Sequence, residues 1–382
     1  MRTGTRVGCA ARSATKRALV DCGGTGDHLT IGEAVADGAD GDVIDVAPCR
    51  YAEQVDFGGR TIMLRAQSGP ADTIIDAGGA GPVVVAQGGE GEGTGLIGFT
   101  LTGGQETAYG AAVFVDLSTI RLEDVEVTGN TGAAILYSHS GAVALLDVTF
   151  GDNSSTAEGA SIVTYRGTLN ATGLAVGCGD SAHAVYLGHG SALIDASTVV
   201  CPSGTAMHWE HTTGRLERTR VDGLVVVIGE QGHDTDVVTM ENNLFTGGAG
   251  VYISDGTALI RNSTVIGVVT LVRVLEPVVE ANIFAGGGCG IDADADTTGL
   301  APRDNDFWST DDEPCDGAAW SGVDGNLAVD PRFSDEAAGD HTLAVGSPCI
   351  DAGLTEREHD DVDGSRNDMG AYGGPKTLAG GW

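Results

Sequence analysis

Lysine is nearly missing from this chain of 382 residues: only Lys16 and Lys376 occur, and 20 basic side chains face 54 acidic ones. A formal charge of −34 argues against a nucleic-acid or anionic-membrane partner and attracts cations. It also disfavours a polyanionic glycan unless a divalent cation bridges the two; its plain use is solubility. Residues 1–17 break the rule, with Arg2, Arg6, Arg12, Lys16 and Arg17 and no acid, so 1–20 reads as a basic tail or unprocessed start. Aromatics make up 5%, too few for a large core built on rings, and ten prolines are too few for a disordered Gly/Pro chain despite 61 glycines. No apolar run reaches the length of a membrane-spanning helix. The eight cysteines contain no CxxC pair, which favours disulfides and an oxidising, extracellular or cell-surface location.

What is present is a repeat. "STIRLEDVEVTGNTGAAILYSHS" (118–140), "GTLNATGLAVGCGDSAHAVYLGH" (167–189) and "GSALIDASTVVCPSGTAMHWEHT" (190–212) are each 23 residues long. Each has an alternating stretch, a Gly/Asn/Asp turn, a second alternating stretch and another turn. Alternation is the period of a strand with one buried face, and nothing in these units has helical spacing. Such a period predicts an all-β chain, a parallel β-solenoid whose equivalent strands stack about 4.8 Å apart. Cys178 and Cys201 differ by one repeat and should meet on adjacent coils. Cys22 with Cys49 and Cys289 with Cys315 are further pairs, and Cys9 with Cys349 a conjecture.

The ends of a solenoid must be covered. "LTIGEAVADGADGD" (29–42) is predicted as a helical N-terminal cap, with Thr30 and Glu33 placed as a capping box. The solenoid is predicted over 21–308, and the Pro/Gly/Asp-rich segment 309–382 as an irregular C-terminal cap.

Together these features resemble the bacterial right-handed parallel β-helix proteins of the pectin-lyase-like superfamily. "GEAVADGADGDVIDVAPCRYAEQVDF" is similar to that superfamily's first coil. "DPRF…GDHTLAVGSPCIDAG…DVDGSRNDMGAYGG" resembles the C-terminal module called choice-of-anchor Q. The resemblance spans roughly 20–375 and implies a right-handed β-helix of about 23 residues per coil. It implies no particular activity. The Gly-x-Tyr-x-Glu of pectinesterases is met here by Cys49-Arg50-Tyr51-Ala52-Glu53, without its glycine. Of the polygalacturonase signatures only Gly188-His189-Gly190 matches. A polysaccharide lyase needs a Lys or Arg base, and the repeats hold no lysine, leaving Arg166 or Arg273.

Most of the catalyst-like side chains crowd into "TAMHWEHT" (205–212). On a strand, residues two apart share a face, so Met207 and Trp209 are predicted inside and His208 with Glu210 outside. An outward column through Phe114, Tyr165, Tyr186, His208, Tyr252 and Arg273 is then expected to form a glycan-binding face, with Tyr165, Tyr186, His208 and Tyr252 as binding residues. His208, Glu210 and Arg273 are the catalytic candidates if the chain is an enzyme. Asp361, Asp363 and Asp368 could hold Ca²⁺, although turn-stabilising carboxylates fit the same pattern; no cofactor is required. Asn243 and Asn282 are expected in a polar stack at a corner, and Asn153, Asn170 and Asn262 fit the glycosylation acceptor pattern.

The expectation is a secreted or cell-surface protein, monomeric and non-catalytic, that presents a long face to a glycan or surface. The second reading is a polysaccharide lyase or glycoside hydrolase, the third a purely structural element.

Overall fold

The computed structural model describes residues 17–230, 236–248, 250–308 and 320–378. The chain is all-β, a parallel solenoid of about 12 turns with roughly 23 residues per turn. Each coil contributes to three parallel ladders. The first runs from Arg17–Val20 through Val43–Val46 and Met63–Ala66 to Val278–Glu280. The second runs from Cys49–Tyr51 and Thr73–Asp76 to Asp306–Phe307. The third, which carries the site, runs from Val55–Asp56 through Gln105–Asp116, Thr131–His139, Ser154–Tyr165 and His183–Gly188. It continues through the second half of Thr198–Glu210 to Ile291–Ala293.

Alternation becomes burial in this winding. On the third ladder Val113, Leu136, Ile162, Val185, Met207, Val225, Val251 and Val269 follow one another in register, every one buried. Trp209 sits between Leu187 and Val227 in the next file and is fully buried. Burial of such side chains is worth about 2 kcal/mol each, and stacking them in files lets every coil share its apolar surface with two neighbours.

The corners are polar and repeat as strictly. Asp124, Asp147, Ala196, Arg218, Asn242, Asn262, Ala281 and Asp304 take φ between 44° and 56°, one per coil. Behind this rank runs a buried ladder: the backbone N–H of Asn243 donates to the Ser263 hydroxyl, that of Ser263 to Asn282, that of Asn282 to Asn305 and that of Asn305 to Asn326. The side chains thereby satisfy donors the tight corner would otherwise orphan. Asn243 and Asn282 stand in this stack, as the sequence suggested.

The short helix Ile31–Asp37 packs Ile31, Ala34 and Val35 onto the first coils and ends at Gly38, earlier than the predicted 42. Thr30 accepts from the N–H of Glu33, but the first-turn partner is Glu53, whose carboxylate accepts from Ile31 and Gly32 at 2.8 Å each. The glutamate that suggested a pectinesterase motif is thus a helix cap. The solenoid also extends further than predicted at both ends. Arg17–Val20 pairs with Val43–Val46, and Leu327 bridges Asp306 with Asn326 closing the polar ladder.

Cys178–Cys201 and Cys22–Cys49 are disulfides, with Cα atoms 5.2 and 6.5 Å apart. Cys289 is disulfide-bonded, while its expected partner Cys315 lies outside the described residues, as does Cys9; Cys349 is a buried thiol. Past Trp320, which packs on Phe307, the chain turns back along the flank of the coils rather than only closing the end. Asn367 bonds Asn262, Gly370 bonds Ala281, and Lys376 reaches Glu217 and Glu241. Among the described residues no helix is long and apolar enough to cross a membrane.

Candidate functional site: a ring-bearing face on the third ladder

The outward residues of the third ladder fall into files, not one column. The first file is Val85, Phe114, Tyr137, Val163, Tyr186, His208, Val226, Tyr252 and Thr270. Two residues further along the strands lie Asp116, His139, Tyr165, Gly188, Glu210, Ile228 and Ser254. A third rank follows at the corner, where Leu117, Ser140, Arg166, His189, His211, Asp255 and Arg273 have φ between 47° and 59°.

This separates residues that the sequence had joined. Tyr186, His208 and Tyr252 share the first file, with Val226 between the last two. Tyr165 and Glu210 occupy the second. Arg273 stands in the third rank, three coils beyond His211, where its guanidinium clasps Asp255 through bonds of 2.9 and 2.8 Å. Arg273 therefore neither neighbours the His208–Glu210 pair nor offers an unpaired base, and the column drawn through it is corrected. The reason is geometric: it occupies the left-handed corner position, whose side chain leaves the strand face. Arg166 holds the same position nearer the rings, with its guanidinium carbon 5.4 Å from the Tyr165 ring centroid. It makes no ion pair among the described residues. It lines a shallow groove of about 390 Å³ together with Leu117, Ser140, Thr168 and Ser191.

To the rings the sequence reading named, the structure adds Tyr109, Tyr137, His139 and His183. Tyr109, Phe114 and Tyr137 cluster with centroids 4.9 to 6.2 Å apart. His183, Tyr186 and His208 cluster at 5.2 to 6.3 Å. His139 stacks on Tyr165, Tyr165 meets His189 edge-on, and His189 lies 4.8 Å from His211. Five of the nine histidines thus share one face. The signal was there only to within one residue: counting 23 on from Tyr186 and His189 lands on Trp209 and Thr212, one past the ring partners His208 and His211. Tyr109 lies on the twelve-residue strand Gln105–Asp116 beside a register shift at Gly110, so no period points to it, and His183 opens the strand His183–Gly188.

Partners set the chemistry. The Tyr186 hydroxyl donates to the Glu210 carboxylate on the next coil. Burial, then Glu210, pushes the Tyr186 phenol well above its ordinary value, so it remains a neutral donor. Burial pulls His208 and His183 below the ordinary imidazole value, in His183 with help from His208. Both rings are therefore neutral near pH 7, and His208 Nε2 and His183 Nδ1 are buried without a hydrogen-bond partner. His139 Nδ1 lies 2.8 Å from Asp116. The arrangement is a surface of tyrosine, phenylalanine and histidine rings with a few polar atoms at their edges.

The other candidates resolve differently. Asp361 and Asp368 are brought together, Asp361 accepting from the N–H groups of Asp368 and Gly374, and burial raises both carboxyls. Asp363 instead turns to the N–H and hydroxyl of Ser365. Among the described residues no group of three or more His, Cys, Asp or Glu is placed to hold a metal ion.

No family model matches the chain, and no curated protein does. Several solved structures are similar in fold. Pectate lyase Pel9A is 13% identical with a TM-score of 0.45, covering 94% of this chain and 96% of that one. A variant of the PL6 family alginate lyase AlyGC is 12% identical with a TM-score of 0.45, covering 92% and 58%. The pectin methylesterase from carrot is 15% identical with a TM-score of 0.30, covering 88% and 92%.

Proposed function

We propose that this protein is a secreted or cell-surface β-helix that binds glycan along the outer face of the third ladder without turning it over. The observation that carries the reading is the run of rings from Phe114 to His211 over five successive coils, about 19 Å at the ordinary strand spacing. Aromatic rings with hydrogen-bonding edges offer an apolar plate and polar handles together, which suits a sugar ring. Disulfides support an oxidising location.

Catalysis is less well served. Removing a proton from a sugar and neutralising the charge that develops requires a base and a cation at one point. Here Arg273 is spent on Asp255 three coils away, and Glu210 accepts from Tyr186. Retention on a panel of insoluble glycans, with product release assayed with and without Ca²⁺, tests the reading. Retention without product, weakened in Tyr165→Ala and Tyr186→Ala, is expected. Product that disappears in His208→Ala would replace this reading with a lyase or hydrolase, and no retention on any glycan would leave a structural element.

A further inference from the structure

We infer that the ligand of this face is an uncharged glycan, and that Tyr109, Phe114 and Tyr137 form the stacking subsite that anchors it. The inference rests on the glycan-binding reading above and adds the subsite and the ligand's charge.

The subsite is built from two coils. Phe114 and Tyr137 are register partners whose rings stack at 6.2 Å with 23° between their planes. Tyr109 reaches over from the extended start of its own strand to 4.9 Å from Phe114 and 5.7 Å from Tyr137. It is 49% exposed, so much of its ring is left open to water. Two of the three rings carry a phenol hydroxyl, and the third is wholly apolar. Burial foremost, with Tyr109 and Asp116 adding to it, holds the Tyr137 phenol above its ordinary value, so it too remains a neutral donor.

Charge selects the ligand. The acids on Phe114's strand are Glu106, which accepts from the Ala108 N–H, and Asp116; the preceding coil offers Val85, and Tyr137's strand offers His139, already set against Asp116. Further along, Glu210 is a carboxylate, and the His183 and His208 rings are neutral. Among the described residues Arg166 is the cation that remains on this face, one coil past Tyr137, with its guanidinium over Tyr165. A uronate polymer brings a negative charge on every sugar. One guanidinium does not offset that repulsion on a surface of net charge −34. An uncharged chain meets no such barrier and gains the ring contacts.

Titration calorimetry with neutral gluco-, manno- and xylo-oligosaccharides and with oligogalacturonate and oligomannuronate, at low and high salt, is decisive. A neutral oligosaccharide should bind with an affinity that salt does not change. Tyr109→Ala should weaken it about tenfold, while Tyr109→Phe, which keeps the ring, should lose little. The exposed position of Tyr109 leaves the coil intact in either variant, which the far-ultraviolet spectrum checks. Tighter binding of a uronate oligomer, with or without Ca²⁺, would overturn this inference while leaving glycan binding standing. Neutral binding unaffected by Tyr109→Ala and Tyr137→Ala would overturn the subsite. Binding of no probe would overturn both this and the reading beneath it.

Discussion

Tyr186 and Glu210 are joined across adjacent coils by a hydrogen bond from phenol to carboxylate, on a face where His208 stands next to both. Burial foremost, with the bond to Glu210, holds the phenol neutral in the folded protein, while the unfolded chain lets it ionise normally. Above about pH 10 the unfolded state has then lost a proton that the native state retains, so stability falls as pH rises further. In Tyr186→Phe that alkaline loss should be smaller. Denaturant titrations above and below pH 10 check it.

His183 and His208 work in the opposite pH range. Their folded values are depressed, so as pH falls through about 6.5 the unfolded chain takes up protons that the native rings refuse. Their contribution is fully present above that pH and is lost below it. The melting temperature should drop between about pH 6.5 and 5, and His208→Gln should flatten that drop. A slope identical in wild type and variant would show that the ring takes up its proton as freely in the fold as outside it.

Cys178 and Cys201 close one coil. Replacing both by serine should cost about 3 kcal/mol in denaturant unfolding, and reduction with a thiol, which also opens Cys22–Cys49 and the bond at Cys289, should lower stability further.

The asparagine ladder should be less forgiving than its polarity suggests. Asn282 accepts from the Ser263 N–H at 2.9 Å and donates to the Ile260 carbonyl at 2.9 Å, fully buried. Asn282→Leu leaves both groups unpaired in the interior and should cost about 2–4 kcal/mol in denaturant unfolding. A Ser→Ala change on an exposed strand face should cost almost nothing.

Much of the fold was legible because the physics of a solenoid is periodic. One repeat separates Cys178 from Cys201, alternation put Met207 and Trp209 inside, and the capacity of asparagine to bond its neighbours put Asn243 and Asn282 in a corner stack, although the left-handed residues are Asn242 and Ala281 beside them. The site was only half legible. A file is defined by register, and the strands of the ring face slip against each other near Gly110 and Gly132. Tyr165 pairs with Gly188, so it lies two residues along the strand from Val163 and Tyr186 and on the neighbouring file; membership of equivalent strands had joined it to Tyr186 without fixing that register. Arg273 was misplaced for a related reason: its corner backbone turns the side chain toward Asp255, and no local pattern announces that partner. The flank contacts were out of reach altogether, since Asn262 and Asn367 are 105 residues apart. Glu53 shows the reverse error, a motif-like residue whose two acceptor atoms serve a helix terminus.

The most direct measurement is a crystal structure with a bound oligosaccharide. Density for sugar rings lying over Tyr137, Tyr165 and Tyr186, with the glycosidic bonds intact, is the result this account predicts. Sugar bound on the first or second ladder, or cleaved product lying against His208 and Glu210, would contradict it.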